Sequence, residues 1–304
     1  MCFPIRSSII ALCAGVAIST EAKSAAPYIP RYDHVVIVIM STKSNNDILA
    51  SASAPYINGT LITTGASFNA SYALADTAQP NYIALFSGSS QGVTDETCPE
   101  TFSVGSLAQQ LVAAGLSFIQ YSEDMPSIGY TSCGSGLYAR KHNPVPDFTG
   151  VSVASNQPYT NFSGAIAGAT LPTITFVVPN LCNDMHGDLT SCNLSTSGLV
   201  ALGDLWLQNN LPQYLTSASA QNGLLIVTWD HGGGNAGYAA TLIPTIFLGP
   251  HVKPDYVSST VINHYSVLRT LEDMYGLTAL GNASATQPIT DIWDAPIFED
   301  GFEP

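Results

Sequence analysis

The sequence predicts an α/β protein with a largely parallel or mixed central sheet flanked by helices. Two observations carry this. Short runs such as HVVIVIM (34–40), TITFVVP (173–179) and LLIVTWD (224–230) are apolar and rich in β-branched residues, the pattern of strands buried on both faces. Between them lie segments with helical spacing that end at glycine or proline. Strands alternating with helices in this way build a sheet covered by helices.

Taken in order, HVVIVIM is the first strand. LAQQLVAAG (107–115) reads as a helix stopped by Gly115, and LSFIQY (116–121) as the strand after it. TITFVVP follows as a buried strand. SGLVALGDLWLQNNLPQYL (197–215) reads as a helix interrupted or ended by Pro212. LLIVTWD is the clearest strand, and PTIFLG (244–249) is one more. HYSVLRTLEDMYG (264–276) is amphipathic, with Val267, Leu268, Leu271 and Met274 on one face and Gly276 as its stop. In sheets of this kind ligands bind beyond the carboxyl ends of strands. Two strand ends therefore matter most: Met40-Ser41-Thr42 and Asp230-His231.

Composition narrows the function. Charged residues are 10% of the 304, against about a quarter in ordinary globular chains. Eight Lys+Arg against 22 Asp+Glu give a net charge of −14. So few cations cannot make the basic footprint that nucleic acid requires, and an anionic membrane surface would repel the chain. Residues 1–26 combine Arg6, an apolar stretch SIIALCAGVAI, and small residues at Ala22, Ser24 and Ala25. That is the pattern of an export signal, too short to span a bilayer. A buried N-terminal helix is the other reading. No later stretch is long and apolar enough for a transmembrane anchor. The expected organisation is a signal at 1–26, one domain over 27–293 and a short acidic tail at 294–304, with a secreted or periplasmic location. Four cysteines lie beyond the signal, Cys98, Cys133, Cys182 and Cys192. In an exported chain they suggest two disulfides, with three possible pairings. Proximity favours Cys98–Cys133 and Cys182–Cys192. A four-cysteine zinc site is the rival, and it lacks any CxxC.

Several passages resemble the bacterial phosphoesterase family of acid phosphatases and phosphatidylcholine-type phospholipases C, within the alkaline-phosphatase-like superfamily. They are the segment 54–99 with its AQPNY, YSEDMPS (121–127), YARKHNP (138–144), FVVPNLCNDMHGD (176–188), LLIVTWD, IPTIFLGPHVKP (243–254), INHYSVLRTLEDMYGL (262–277) and PITDIW (288–293). They run in order along nearly all of 27–293. The resemblance implies an alkaline-phosphatase-like α/β domain that hydrolyses a phosphate ester. It also implies one divalent metal ion, held by a Glu-Asn pair after the first strand, a Ser or Thr nucleophile before QPNY, and an Asp-Glu pair after the TWD strand. Such chemistry needs a cation to neutralise the phosphoryl oxygens and to activate the attacking hydroxyl.

The sequence departs from that pattern at the catalytic set. Ser41 and Thr42 stand where Glu and Asn are expected, and Lys43 where His follows. Ala78 takes the nucleophile position, with Thr77 the adjacent hydroxyl and a candidate substitute. Asp230 is kept, but His231 stands where Glu is expected. Asp230 and His231 are competent metal ligands; Ser41 and Thr42 offer only neutral hydroxyls. The resemblance places Asp184, His142, His264 and Asn81 near the phosphate, and His186 among the catalytic candidates. Three readings follow. One is a phosphoesterase-family protein with catalysis weakened or lost, the metal then being absent. Another is a non-catalytic binding or structural protein on the same scaffold. The third is an active phosphatase with a rearranged site using Thr77 and Asp230/His231. The partner implied is a phosphate ester or phosphate-like small molecule.

Overall fold

The computed structural model describes residues 1, 28–188, 190–233 and 241–294. Apart from Met1 and Asp294, the expected signal and acidic tail lie outside the described residues.

Eight strands form the central sheet: β1 (His34–Met40), β2 (Ala66–Phe68), β3 (Phe118–Ser122), β4 (Asn156–Pro158), β5 (Ile174–Val178), β6 (Gly223–Trp229), β7 (Thr245–Leu248) and β8 (Tyr256–Ser258). Their spatial order is β8-β2-β7-β6-β1-β5-β3-β4. From β6 to β4 all neighbours run parallel, whereas β7 is antiparallel to both β6 and β2. The sheet is therefore mixed, with a parallel centre. β1 sits in the middle, and its register puts Val35 beside Ile174 on one side and Leu224 on the other.

The uninterrupted apolar runs are explained by cover on both faces. Val35, Ile37 and Ile39 point into a core shared with α1 (Ala78–Ser87), α2 (Leu107–Ala113) and α4 (His264–Tyr275). Val36, Val38 and Met40 point into a second core, with Trp206, Leu207, Leu211 and Tyr214 of α3 (Thr196–Ala220). With about 25 cal/mol for each Å2 of apolar surface removed from water, two full faces of side chains are the main force holding the layers together.

Most expected elements appear close to their expected bounds. The helix at 107 ends at Ala113, with Gly115 just beyond it at φ +74°. Its following strand begins two residues late, at Phe118. α4 ends on Gly276 in the left-handed conformation. One expectation is corrected: Pro212 neither interrupts nor ends α3, which continues to Ala220. Pro212 and Gln208, whose carbonyl loses its intrahelical donor, both lie on the solvent face, so water can satisfy the freed oxygen. Leu207, Leu211, Tyr214 and Ala218 keep the helix docked on either side of Pro212. Both favoured disulfides form, Cys98–Cys133 and Cys182–Cys192, with Cα separations of 5.8 and 5.7 Å. No described helix is long and apolar enough to cross a membrane.

Candidate functional site

The carboxyl ends of β1, β5 and β6 meet at one edge of the sheet. Asp230 follows β6 and donates its backbone N–H to Met40 O (2.9 Å); Ser41 follows β1 and donates its own to Asp184 O (2.7 Å). These two bonds lock three loops into one floor. Thr42 is held at φ +57°, a left-handed conformation that is an outlier for a β-branched residue and tolerable for asparagine. The turn lets Thr42 N–H point at Asp230 Oδ1 (3.1 Å). Gly233, at φ +60°, passes so close that a Cβ there would meet Thr42 Cγ2 and O at 3.0 Å.

Asp230 is 1% exposed, and both its oxygens are occupied. Oδ1 accepts Thr42 N–H, His231 N–H and His231 Nδ1 (2.8 Å); Oδ2 accepts the Ser41 hydroxyl (2.8 Å). Burial would raise its pKa, but the charges of His231 and His142 and these hydrogen bonds outweigh it and hold the carboxyl well below the usual range. The partner moves the other way: burial disfavours the His231 imidazolium, and the Asp230 charge overcomes this and raises its pKa. Asp230 and His231 thus form an internal ion pair.

A directed hydrogen-bond chain enters the same carboxylate. Lys141 Nζ has no lone pair to offer, so at 3.1 Å it donates to His186 Nε2. His186 therefore carries its proton on Nδ1 and donates to Thr42 Oγ1 (2.8 Å). Thr42 donates to Ser41 Oγ (2.9 Å), and Ser41 to Asp230. Burial first, then the His142 and Lys141 charges, push His186 down to about 3, keeping it neutral. Behind it, His142 stacks on Tyr82 of α1, with its Nδ1 3.0 Å from Asp184 Oδ2 and its Nε2 3.8 Å from Asp230 Oδ2. That Nε2 has no hydrogen-bond partner among the described residues. Burial raises the Asp184 pKa.

Ala78 is the first residue of α1, and Thr77 is its N-cap without making a side-chain cap. The Ala78 N–H is instead taken by Glu96 Oε1 (3.2 Å), while Glu96 Oε2 accepts Lys141 Nζ (2.7 Å). Through Glu96, Lys141 and His186, Ala78 is linked to Ser41, Thr42 and Asp230. His264 lies underneath, its Nε2 2.9 Å from the Asp230 carbonyl. Asn81 faces away from this group: its side chain bonds Leu74 N, Ala75 N, Ala75 O and Thr77 O, bracing the turn that leads into α1. Sequence reasoning missed Glu96, Lys141 and Tyr82, and saw Lys43 only as a replacement. Lys43 Nζ is buried against Thr42 O (2.9 Å) and Met185 O (2.6 Å).

The donor set does not fit a divalent cation. A hard cation needs several anionic oxygens with free lone pairs; Asp230 Oδ1 already accepts three N–H donors and Oδ2 one hydroxyl, which leaves acceptor capacity on Oδ2 alone. Ser41 and Thr42 present hydroxyls whose protons are already directed along the chain. Among the described residues no three His, Cys, Asp or Glu side chains converge as a metal cage.

A family model described as "Phosphoesterase family" matches residues 49–278. The chain belongs to the phosphoesterase family. It is 40% identical over 270 residues to the phosphatidylinositol-3-phosphatase of Mycobacterium tuberculosis, covering 88% of this chain and 85% of that one. It is 27% identical to the phosphate-repressible acid phosphatase of Penicillium chrysogenum over 69% of this chain, spanning about half (52%) of the fungal protein. Among solved structures, a protein of the alkaline phosphatase superfamily from Vibrio parahaemolyticus aligns with TM-score 0.57 at 15% identity, over 86% of this chain and 72% of that one. A putative sulfatase from Bacteroides thetaiotaomicron aligns with TM-score 0.59 at 12% identity, over 81% and 71%. This phosphoesterase-family chain thus has the alkaline-phosphatase-like fold.

Proposed function

We propose that this phosphoesterase-family chain is an exported protein that binds a phosphate ester at the Ala78–Lys141–His186–Asp230 edge, without a metal and with little or no hydrolysis. The observation that carries it is Ala78 at the start of α1, its N–H held by Glu96, together with an Asp230 whose Oδ1 already accepts three N–H donors. An alanine methyl cannot attack phosphorus, and no cation activates a hydroxyl in its place. What remains is suited to binding: the Ala78 backbone N–H at a helix start and the Lys141 ammonium, both already holding one carboxylate. The 40% identical relative named as a phosphatidylinositol-3-phosphatase supports a phosphomonoester as the ligand class. The paired cysteines and the N-terminal pattern support export.

The test uses purified mature protein. Metal analysis is expected to find no stoichiometric divalent metal, and chromogenic phosphomonoester and phosphodiester assays no turnover above blank. Calorimetry with inorganic phosphate is expected to show one site, lost in Lys141→Met. Robust turnover abolished by Asp230→Ala would overturn this reading. The second reading, hydrolysis through Thr77, has one observation in its favour: Thr77 Oγ1 is buried without a hydrogen-bond partner among the described residues. Turnover lost in Thr77→Val would establish it.

A further inference from the structure

The phosphate position assigned above already holds an anion, and it belongs to the chain. Glu96 sits in a stretch without helix or strand between α1 and α2. Its two carboxylate oxygens are gripped by donors from different elements, the Ala78 N–H of α1 and the Lys141 ammonium. Lys141 in turn touches His186, and the charge of Glu96 is felt by both His186 and His231. A carboxylate held between a helix-start N–H and an ammonium has the donor arrangement that a phosphoryl group uses.

Glu96 differs from the other carboxylates here. Asp230 and Asp184 have side chains at 0% exposure, whereas the Glu96 and Lys141 side chains are 32% and 19% exposed. A partly exposed pair is held less tightly than a fully buried one, so it can be displaced. Two residues on, Cys98 is bonded to Cys133, the residue whose carbonyl accepts Arg140 N–H (2.9 Å), next to Lys141. The bridge keeps Glu96 near its partners when it lets go, so it competes at the high local concentration of a tethered group.

We propose that Glu96 is an internal stand-in for the ligand phosphate, and that a phosphate-type dianion binds the Ala78 N–H and the Lys141 ammonium only by displacing it. This rests on the reading of the edge as a phosphoester site. It adds a selectivity: a dianionic monoester outcompetes a tethered monoanion, and a singly charged phosphodiester does not.

The experiment is calorimetric titration of the disulfide-intact protein with inorganic phosphate, wild type against Glu96→Gln, with melting curves to confirm that both are folded. Gln keeps the shape and an acceptor for Ala78 N–H but removes the charge that holds Lys141. Glu96→Gln is expected to bind phosphate about tenfold tighter, the scale of one charge-assisted contact no longer competing. Hydrogen exchange on the wild type needs no variant: saturating phosphate is expected to speed exchange over residues 91–97. Equal affinities with unchanged exchange overturn the displacement while leaving the anion site standing. Weaker binding by Glu96→Gln, with residues 91–97 protected, makes Glu96 a co-ligand and overturns it too. No phosphate heat in either protein overturns the phosphoester reading itself, and this inference with it.

Discussion

Replacing His231 separates a carboxylate closed by hydrogen bonds from one waiting for a metal. His231→Ala removes the Nδ1 donor 2.8 Å from Asp230 Oδ1. It leaves the residue 231 backbone N–H, Thr42 N–H and the Ser41 hydroxyl in place. Removing one partner of a buried ion pair costs 3–5 kcal/mol in general, and with three of four donors surviving the lower end, about 3 kcal/mol, applies here. At about 2–4 °C per kcal/mol for a chain of this size, the melting temperature falls by about 6–12 °C. His231→Glu is expected to fall further, because it sets a second carboxylate against Asp230 with nothing to neutralise either. That variant alone creates a pair of hard oxygen ligands. A divalent cation at about a hundred times its Kd then returns about 2.7 kcal/mol.

The assay is thermal melting of EDTA-dialysed wild type, His231→Ala and His231→Glu, with and without millimolar Mg2+ or Mn2+. Wild type and His231→Ala are expected to be indifferent to the cation, and His231→Glu to be rescued by it. A cation-induced rise of more than about 3 °C in wild type, on the scale of 1 kcal/mol, that disappears in Asp230→Asn would refute the claim that the donor set around Asp230 does not fit a divalent cation.

Three further outcomes are expected. Ala78→Ser alone gives no phosphatase activity in a chromogenic assay, whereas Ser41→Glu, Thr42→Asn, Ala78→Ser and His231→Glu combined give metal-dependent turnover, because such groups act as a unit worth on the order of 10⁶ in rate; single changes that each restore activity would contradict this. Glu272 is fully buried, with Oε1 accepting Leu280 N–H and Oε2 unpartnered among the described residues, and burial pushes it up to about 7. Since the folded value lies above the unfolded one, its contribution is complete below about pH 4.5 and is lost as pH rises through 7; Glu272→Gln is therefore expected to become more stable than wild type by on the order of 3 kcal/mol in denaturant melts at pH 8, with the gap closing at pH 4.5. Replacing Cys98 and Cys133 by Ser frees a 35-residue loop, which costs about 3–4 kcal/mol on chain-entropy grounds, read as a drop in denaturant midpoint.

The parts of the fold that were legible in the sequence are those with a long, unambiguous period. β1, β5 and β6 are β-branched runs, and α4 sets Val267, Leu268, Leu271 and Met274 at helical spacing with Gly276 as its stop. α1 was not legible as a helix because all ten of its residues are buried. A helix that is covered all round carries no amphipathic stripe, and Pro80 inside its first turn reads as a loop. β2 and β8 have three residues each, too few to show a period of two. Pro212 misled because a helix-breaker costs little when the carbonyl it frees faces water and the packed face is intact. At the site, Ser41, Thr42, Ala78 and His231 were visible as departures from a pattern, and Asp230 as the position that keeps it. Glu96 and Lys141 were not, since they are 45 residues apart and neither departs from anything. Only folding makes them a pair.

The residues that depart from the family pattern have a feature in common. Decay of a buried catalytic centre leaves polar groups without partners, and each such group costs about 1–3 kcal/mol. Here each position that departs from the pattern has an internal partner. The Ser41 hydroxyl donates to Asp230, the Thr42 hydroxyl takes the His186 proton, His231 pairs with Asp230, and the N–H of Ala78 has Glu96. Charges balance locally too, His231 against Asp230 and Lys141 against Glu96. The network is closed around Asp230, while His142 Nε2 and Thr77 Oγ1 keep no partner among the described residues. Its least buried member is the Glu96–Lys141 pair, so an incoming anion meets the weakest link first. That ordering is what a binding site needs: a floor fixed by the Asp230 network, and one contact at the rim that can open.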